Sequence, residues 1–206
     1  MSLSTADVQA PSSRAKLLDA ALRLLRERGY NATSVDELCA AASVTKGAFF
    51  HHFKTKEDLA VAAADHWSAI TGEMFARAAY HQHADPLDRM RGYIDLRGEL
   101  ISGAPAEFSC VAGTMTQELF QTHPRVREAC YASISGHAET LEDDIAEAIE
   151  LYGADPGLTA KSLALHTQAV LQGAFILAKA KDDPAAATDS IAHLRRYFEL
   201  LFNQKP

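Results

Sequence analysis

The chain has 206 residues, 48% of them hydrophobic and 23% charged, with a formal net charge of -7 at pH 7. That composition supports a buried core and excludes a disordered or fibrous chain. An acidic total (pI near 5.7) also excludes a uniformly basic nucleic-acid coat.

Taken in chain order, the hydrophobic periods are helical throughout. Met1 to Ser13 has no basic start and no apolar run, so it does not read as a secretion signal. Arg14 to Arg28 places Leu17, Ala21, Leu24 and Leu25 on one face and stops at Gly29. Ser34-Val35-Asp36-Glu37 is a capping box that opens a second helix. A turn at Ala42-Ser43-Val44 leads to a short third helix, Thr45 to His52. Lys56 opens a long fourth helix with Leu59, Ala63, Trp67, Ile70, Met74 and Ala78 on one stripe. Asp85-Pro86, Asp155-Pro156 and Asp183-Pro184 each pair a capping carboxylate with a proline suited to the first helical position. His123-Pro124 plays that part less well. Glu107 to Gln121 reads as one helix. After Pro124 runs a stripe of Val126, Cys130, Ile134, His137, Leu141, Ile145, Ala148 and Tyr152. The last two helices read as Pro156 to Lys181 and Pro184 to Asn203.

The expected fold is all-α with about nine helices. Residues 1–55 form a three-helix helix-turn-helix domain after a short disordered tail, and 56–206 a larger helical domain. Cys39, Cys110 and Cys130 are too few and too scattered for a disulfide framework. The least charged stretch, 162–178, is interrupted by His166, Gln168 and Gln172 and is too short for a membrane span. These features point to a soluble cytoplasmic protein that makes no membrane contact.

The short helices carry the specific signal. In a helix-turn-helix the second helix enters the major groove. Here Thr45 and Lys46 would face base edges, with His51, His52, Lys54 and Lys56 near the phosphates. Residues 12–56 hold eight Lys or Arg and four Asp or Glu, a net of +4, so the rest of the chain carries -11.

Gly29-Tyr30, Thr33 to Leu38 and Ala42 to Leu59, with the run Ala42-Ser43-Val44-Thr45-Lys46-Gly47-Ala48-Phe49-Phe50-His51-His52-Phe53 at its centre, resemble the DNA-binding domain of the TetR family of transcriptional repressors. Two positions depart from the family's pattern. Ser43 stands where glycine is usual, and Phe50 stands where tyrosine is common, which removes a hydroxyl and leaves Phe50 open to a packing role. The resemblance implies a homodimer on a near-palindromic double-stranded DNA operator, released by a small-molecule effector. The DNA-contacting set is then Thr33, Ser34, Thr45, Lys46, Gly47, Phe50, His51, His52, Lys54 and Lys56. The expected effector pocket is Trp67, Ile70, Met74, Ile94, Cys110, Met115, Phe120, Ile134, His137 and His166. The expected dimer interface is Leu171, Phe175, Leu194, Phe198 and Leu201.

Three alternatives stand beside this reading. Cys110, at a helix start, could act as an electrophile or redox sensor, or be a small buried hydrophobe. An all-helical enzyme would need a nucleophile–base set or a metal constellation, and no such motif is present in the sequence. A protein-binding adaptor would have no reason to concentrate cations at Thr45 to Lys56. His81 and His83 point apart on a helix, so no metal site is expected. The cluster Glu139, Glu142, Asp143, Asp144 and Glu147 reads as a solvated face. No cofactor and no catalytic residue is expected.

Overall fold

Each early helix begins where a short polar side chain can hold the unpaired amides of its first turn. In the computed structural model, which describes residues 11–153 and 155–202, Ser12 caps α1 (Ser13–Arg28) by accepting from the Ala15 amide at 3.2 Å. Ser34 and Glu37 complete the capping box of α2 (Val35–Ala42), Thr45 caps α3 (Lys46–His52), and Thr55 with Asp58 caps α4 (Lys56–Ala76). A 3-10 turn (Ala79–Gln82) leads to α5 (Pro86–Glu99), capped by Asp85. The chain continues through α6 (Pro105–Phe108), α7 (Val111–Leu119), α8 (Pro124–Glu139), α9 (Glu142–Tyr152), α10 (Ala160–Lys181) and α11 (Ala185–Phe202). The fold is all-α, and no strand occurs among the described residues.

Eleven α-helices replace the expected nine among the described residues. The segment read as one helix from Glu107 is two, because Ser109 is extended (ψ 156) and Cys110 starts a new cap. The stripe from Val126 to Tyr152 likewise breaks at Thr140-Leu141, and both halves keep the same inward face. Asp155-Pro156 does not open α10. Asp155 instead accepts the Gly157 amide in a turn, and Thr159 supplies the cap four residues later.

Two large apolar cores result among the described residues, with a small third cluster of Ala174, Ala178 and Ala187. One joins Leu17, Leu25, Leu38, Phe49 and Phe53 of the first three helices and the loop after them to Leu59 and Ala63 of α4, Met115 and Leu119 of α7, and Val126 of α8. The other unites α5, α9, α10 and α11 around Tyr93, Ile94, Ile145, Leu171 and Phe198. The α4 stripe holds as far as Trp67 and then turns. Thr71 and Phe75 continue inward, while Ile70 and Met74 are exposed.

Ser43 adopts a left-handed conformation (φ 53, ψ 47) at the end of α2. A side chain pays for that geometry and glycine does not, so Ser43→Gly is expected to stabilise the chain by about 1 kcal/mol. Urea unfolding checks this, and an unchanged or lower midpoint would show that the turn carries no strain.

Candidate functional sites on the helix-turn-helix face and in the interhelical cleft

The α2–turn–α3 unit presents a polar face built largely from caps. The Ser34 hydroxyl accepts from the Glu37 amide at 3.2 Å and donates to the Glu37 carboxylate at 2.8 Å. The Thr45 hydroxyl accepts from the Ala48 amide at 3.1 Å. Lys46 pairs with Asp36 at 2.7 Å, both side chains well exposed, so the pair is free to exchange partners. His51 and Lys54 are exposed, and His52 is half-buried with its ring against that of His51. Phe49 and Phe53 are buried in the first core, whereas Phe50 is 55% exposed and therefore does not serve as core packing. A Cβ added at Gly47 would meet only the Thr45 hydroxyl at 3.7 Å, so nothing among the described residues requires glycine there.

Two expected DNA contacts are corrected. Thr33 is 1% exposed, and its hydroxyl donates to the Gly29 carbonyl at 2.7 Å. The Lys56 ammonium donates to the Tyr30 and Thr33 carbonyls, both at 3.0 Å, and lies over the Tyr30 ring. Burial lowers its pKa from the ordinary lysine value. Lys56 therefore ties α4 to the α1–α2 loop and does not face outward.

The second site is a cleft between α4, α5, α8 and α10, closed at one end by the start of α7. The cleft is narrow: only about 30 Å³ of it admits the centre of a water-sized molecule. Trp67, Cys110, Ile134 and His137 line it as expected. The other six expected pocket residues do not line it. Ile94 and Met115 are sealed inside the two cores. Ile70, Met74 and Phe120 lie on the surface, and His166 is exposed against the Tyr197 ring. Sequence reasoning missed Thr71, Phe75, Arg97, Ser133, Gln168, Gln172 and Phe175. The two glutamines had a signal, since they interrupt an otherwise apolar helix.

Tyr93 organises the cleft's polar end. Its hydroxyl accepts from Arg97 Nε at 2.9 Å and from Gln168 Nε2 at 3.1 Å. Both of its acceptor positions are then used, so its proton goes to His137 Nε2 at 3.0 Å. Burial, reinforced by the Arg97 charge, pushes the His137 pKa down to about 3, so the ring is neutral at pH 7. Cys110 caps α7, its sulfur accepting from the Gly113 amide at 3.4 Å. Cys39 and Cys130 are buried free thiols, and burial pushes Cys130 up to about 11.

Two side chains from the later helices, Lys179 and Glu118, and Arg26 of α1 itself connect the later helices to the helix-turn-helix. The Arg26 guanidinium lies 5.1 Å from the Trp67 ring and donates to the Glu107 carbonyl at 2.6 Å. Lys179 donates to the Arg26 carbonyl at 2.9 Å and to Thr114 at 3.0 Å. Glu118 accepts from the Tyr30 and Asn31 amides at 3.0 and 2.9 Å. The C-terminus of α1 is thereby held against α6, α7 and α10.

Residues 17–63 match the family pattern described as "Bacterial regulatory proteins, tetR family", and residues 86–194 match "Tetracyclin repressor-like, C-terminal domain". The chain belongs to the TetR family. It is 30% identical over 103 residues to the transcriptional regulator AcuR of Cereibacter sphaeroides, covering 50% of this chain and 47% of AcuR. It is 47% identical over 51 residues to the regulator AcrR of Shigella flexneri, covering 25% of this chain and 24% of AcrR. The match thus spans about half the length of the first relative and about a quarter of the second. The fold is shared with a TetR-family regulator from Agrobacterium tumefaciens, at a TM-score of 0.79 and 22% identity over 92% of this chain and 97% of that one.

Four of the five expected dimer residues are corrected: Leu171, Phe175, Leu194 and Phe198 are buried within the single chain. Leu201 is half-buried beside them. The apolar residues that α10 and α11 turn outward are Leu165, Ile176, Leu177, Tyr197 and Leu200. No helix among the described residues is long and apolar enough to cross a membrane.

Proposed function

We propose that this TetR-family chain is a site-specific DNA-binding transcriptional regulator, a repressor released from a near-palindromic operator when a small molecule enters the cleft. The observation that carries this reading is the exposed α3 face. Lys46, Phe50, His51 and Lys54 are exposed, the Lys46–Asp36 pair is open to exchange, and Gly47 leaves room for a close backbone approach. Thr45 and Lys46 stand at the start of the recognition helix, where base edges are read, and Lys54 stands where phosphates pass. Residues 1–55 form the DNA-reading unit, and 56–206 bind the effector and the second subunit. The outward face of α10 and α11 is the dimer surface, since an exposed Leu200 and Leu177 gain most from being covered there.

The effector acts by population shift. Trp67, Thr71 and Phe75 of α4 line the cleft, and α4 begins at Lys56, which is bound to the α1–α2 loop. A ligand that favours one setting of α4 thereby favours one spacing of the two DNA-reading units. The expected result is retardation of duplex DNA selected from a random pool, with affinity falling steeply as salt rises. Lys54→Ala is expected to weaken binding across all sequences and to lower the salt slope by about 1, whereas Lys46→Ala weakens the selected sequence most. Failure to retain any duplex at low salt would overturn the reading. Parental behaviour in both variants would overturn the docking of α3.

A further inference from the structure

The cleft holds one formal charge with nothing to balance it. None of the side chains lining it is Asp or Glu, and His137 is neutral at pH 7. Arg97 is the charge. Arg23, Arg28, Arg89, Arg125 and Arg195 each meet a carboxylate, whereas among the described residues Arg14, Arg26 and Arg196 do not. Arg97 meets none among the described residues. Its Nε is used by Tyr93, its plane lies 4.5 Å from the Phe75 ring centroid, and its two terminal amino groups find no acceptor among the described residues. The planar fork of those two groups is open to a partner and matches a carboxylate with two parallel hydrogen bonds.

The surroundings define the rest of the partner. Gln168 and Gln172 bring amide groups to the same cleft, and Ser133 brings a hydroxyl. Trp67, Phe75, Ile134 and Phe175 make the other walls apolar. With His137 neutral, Arg97 is the one charged side chain of the lining, and the Arg26 guanidinium lies 5.1 Å from the Trp67 ring, so the surroundings favour an anion.

We propose that the cleft receives a small organic monoanion, a carboxylate on a compact apolar body, with the carboxylate on Arg97 and the body against Trp67 and Phe75. This rests on the reading of the cleft as the effector site, and it adds the chemical class of the effector.

Trp67 is the single tryptophan of the chain, so its fluorescence reports occupancy directly. The purified full chain is titrated with acetate, hexanoate and cyclohexanecarboxylate, and with the three matching amides, at constant ionic strength and pH 7.5. At least one carboxylate is expected to change the emission saturably, with its amide needing at least tenfold more. Arg97→Gln is expected to lose that carboxylate at least tenfold. Arg97→Lys, which keeps the charge but not the fork, is expected to fall between. The inference is overturned if no carboxylate of the series changes the emission, if an amide binds as well as its carboxylate, or if Arg97→Gln binds like the parent. Should Arg97→Gln fail to fold, as judged by circular dichroism, the carboxylate–amide comparison on the parent decides alone. DNA retardation with the same preparation separates the two readings. Retarded DNA without a carboxylate response removes only the anion, and a carboxylate response without retardation removes only the operator.

Discussion

Gly29→Ala is expected to destabilise the chain by about 2.5–6 kcal/mol, from two terms. Gly29 sits at φ 83, ψ 173, a region open essentially to glycine alone, so a side chain there costs about 1–3 kcal/mol in backbone strain. The new Cβ would also fall 1.7 Å from the Glu118 carboxylate oxygen. Glu118 would have to leave, and the Tyr30 and Asn31 amides would lose a charged acceptor worth about 1.5–3 kcal/mol. Glu118→Ala alone removes only the second term. Urea unfolding of the two single variants and the double variant closes a cycle, and the double variant is expected to be more stable than the sum of the singles by the shared term, about 1.5–3 kcal/mol. An additive cycle would mean that Glu118 does not hold the loop. The functional consequence follows from position, because this loop joins α1 to α2 and also receives the Lys56 ammonium. Loosening it detaches the DNA-reading unit from α7 without touching α3.

Helix starts were legible because caps are local chemistry. Ser34 with Glu37, Thr45, and Asp85 before Pro86 each stand where the sequence places them. Helix breaks were not, where the inward stripe runs on through them. Leu141 and Ile145 belong to the same core as Ala138, so the stop at Thr140 leaves no trace in the hydrophobic pattern. The same limit governs the sites. A stripe says which side faces inward, and it does not say whether the space there is filled. Met115 meets a packed core while Ile134 meets a cleft, though both lie on inward faces. On α10 nearly every side is apolar, so Phe175 and Ile176 read alike. Only packing decides that Phe175 points into the chain and Ile176 out of it. Lys56 reads as a phosphate contact because it stands with His51, His52 and Lys54 in one cation-rich run. A four-carbon stem at the first position of α4 reaches back to two loop carbonyls, which no spacing rule reveals.

The second large effect expected is an acid sensitivity that belongs to His137. The unfolded ring titrates near 6.5 and the folded ring near 3, depressed by burial first and by the Arg97 charge second. The folded chain therefore refuses a proton that the unfolded chain accepts. Stability falls as pH drops through this window, by up to about 1.4 kcal/mol per pH unit. Carboxylates held low by their partners, such as Asp58 and Asp85, push in the same direction but only nearer their own range. The interval from pH 6.5 to 5 therefore isolates the histidine. Across it the parent is expected to lose about 1.5 kcal/mol more than His137→Gln, which still offers Tyr93 an acceptor and does not titrate. Denaturant midpoints at both pH values for both proteins give the comparison, and equal losses would refute the buried, neutral ring. Arg97 ties this to the cleft. A carboxylate seated on Arg97 offsets the charge that helps hold His137 neutral, so it raises the folded pKa and shrinks the acid-dependent difference. A ligand that binds elsewhere leaves that difference unchanged.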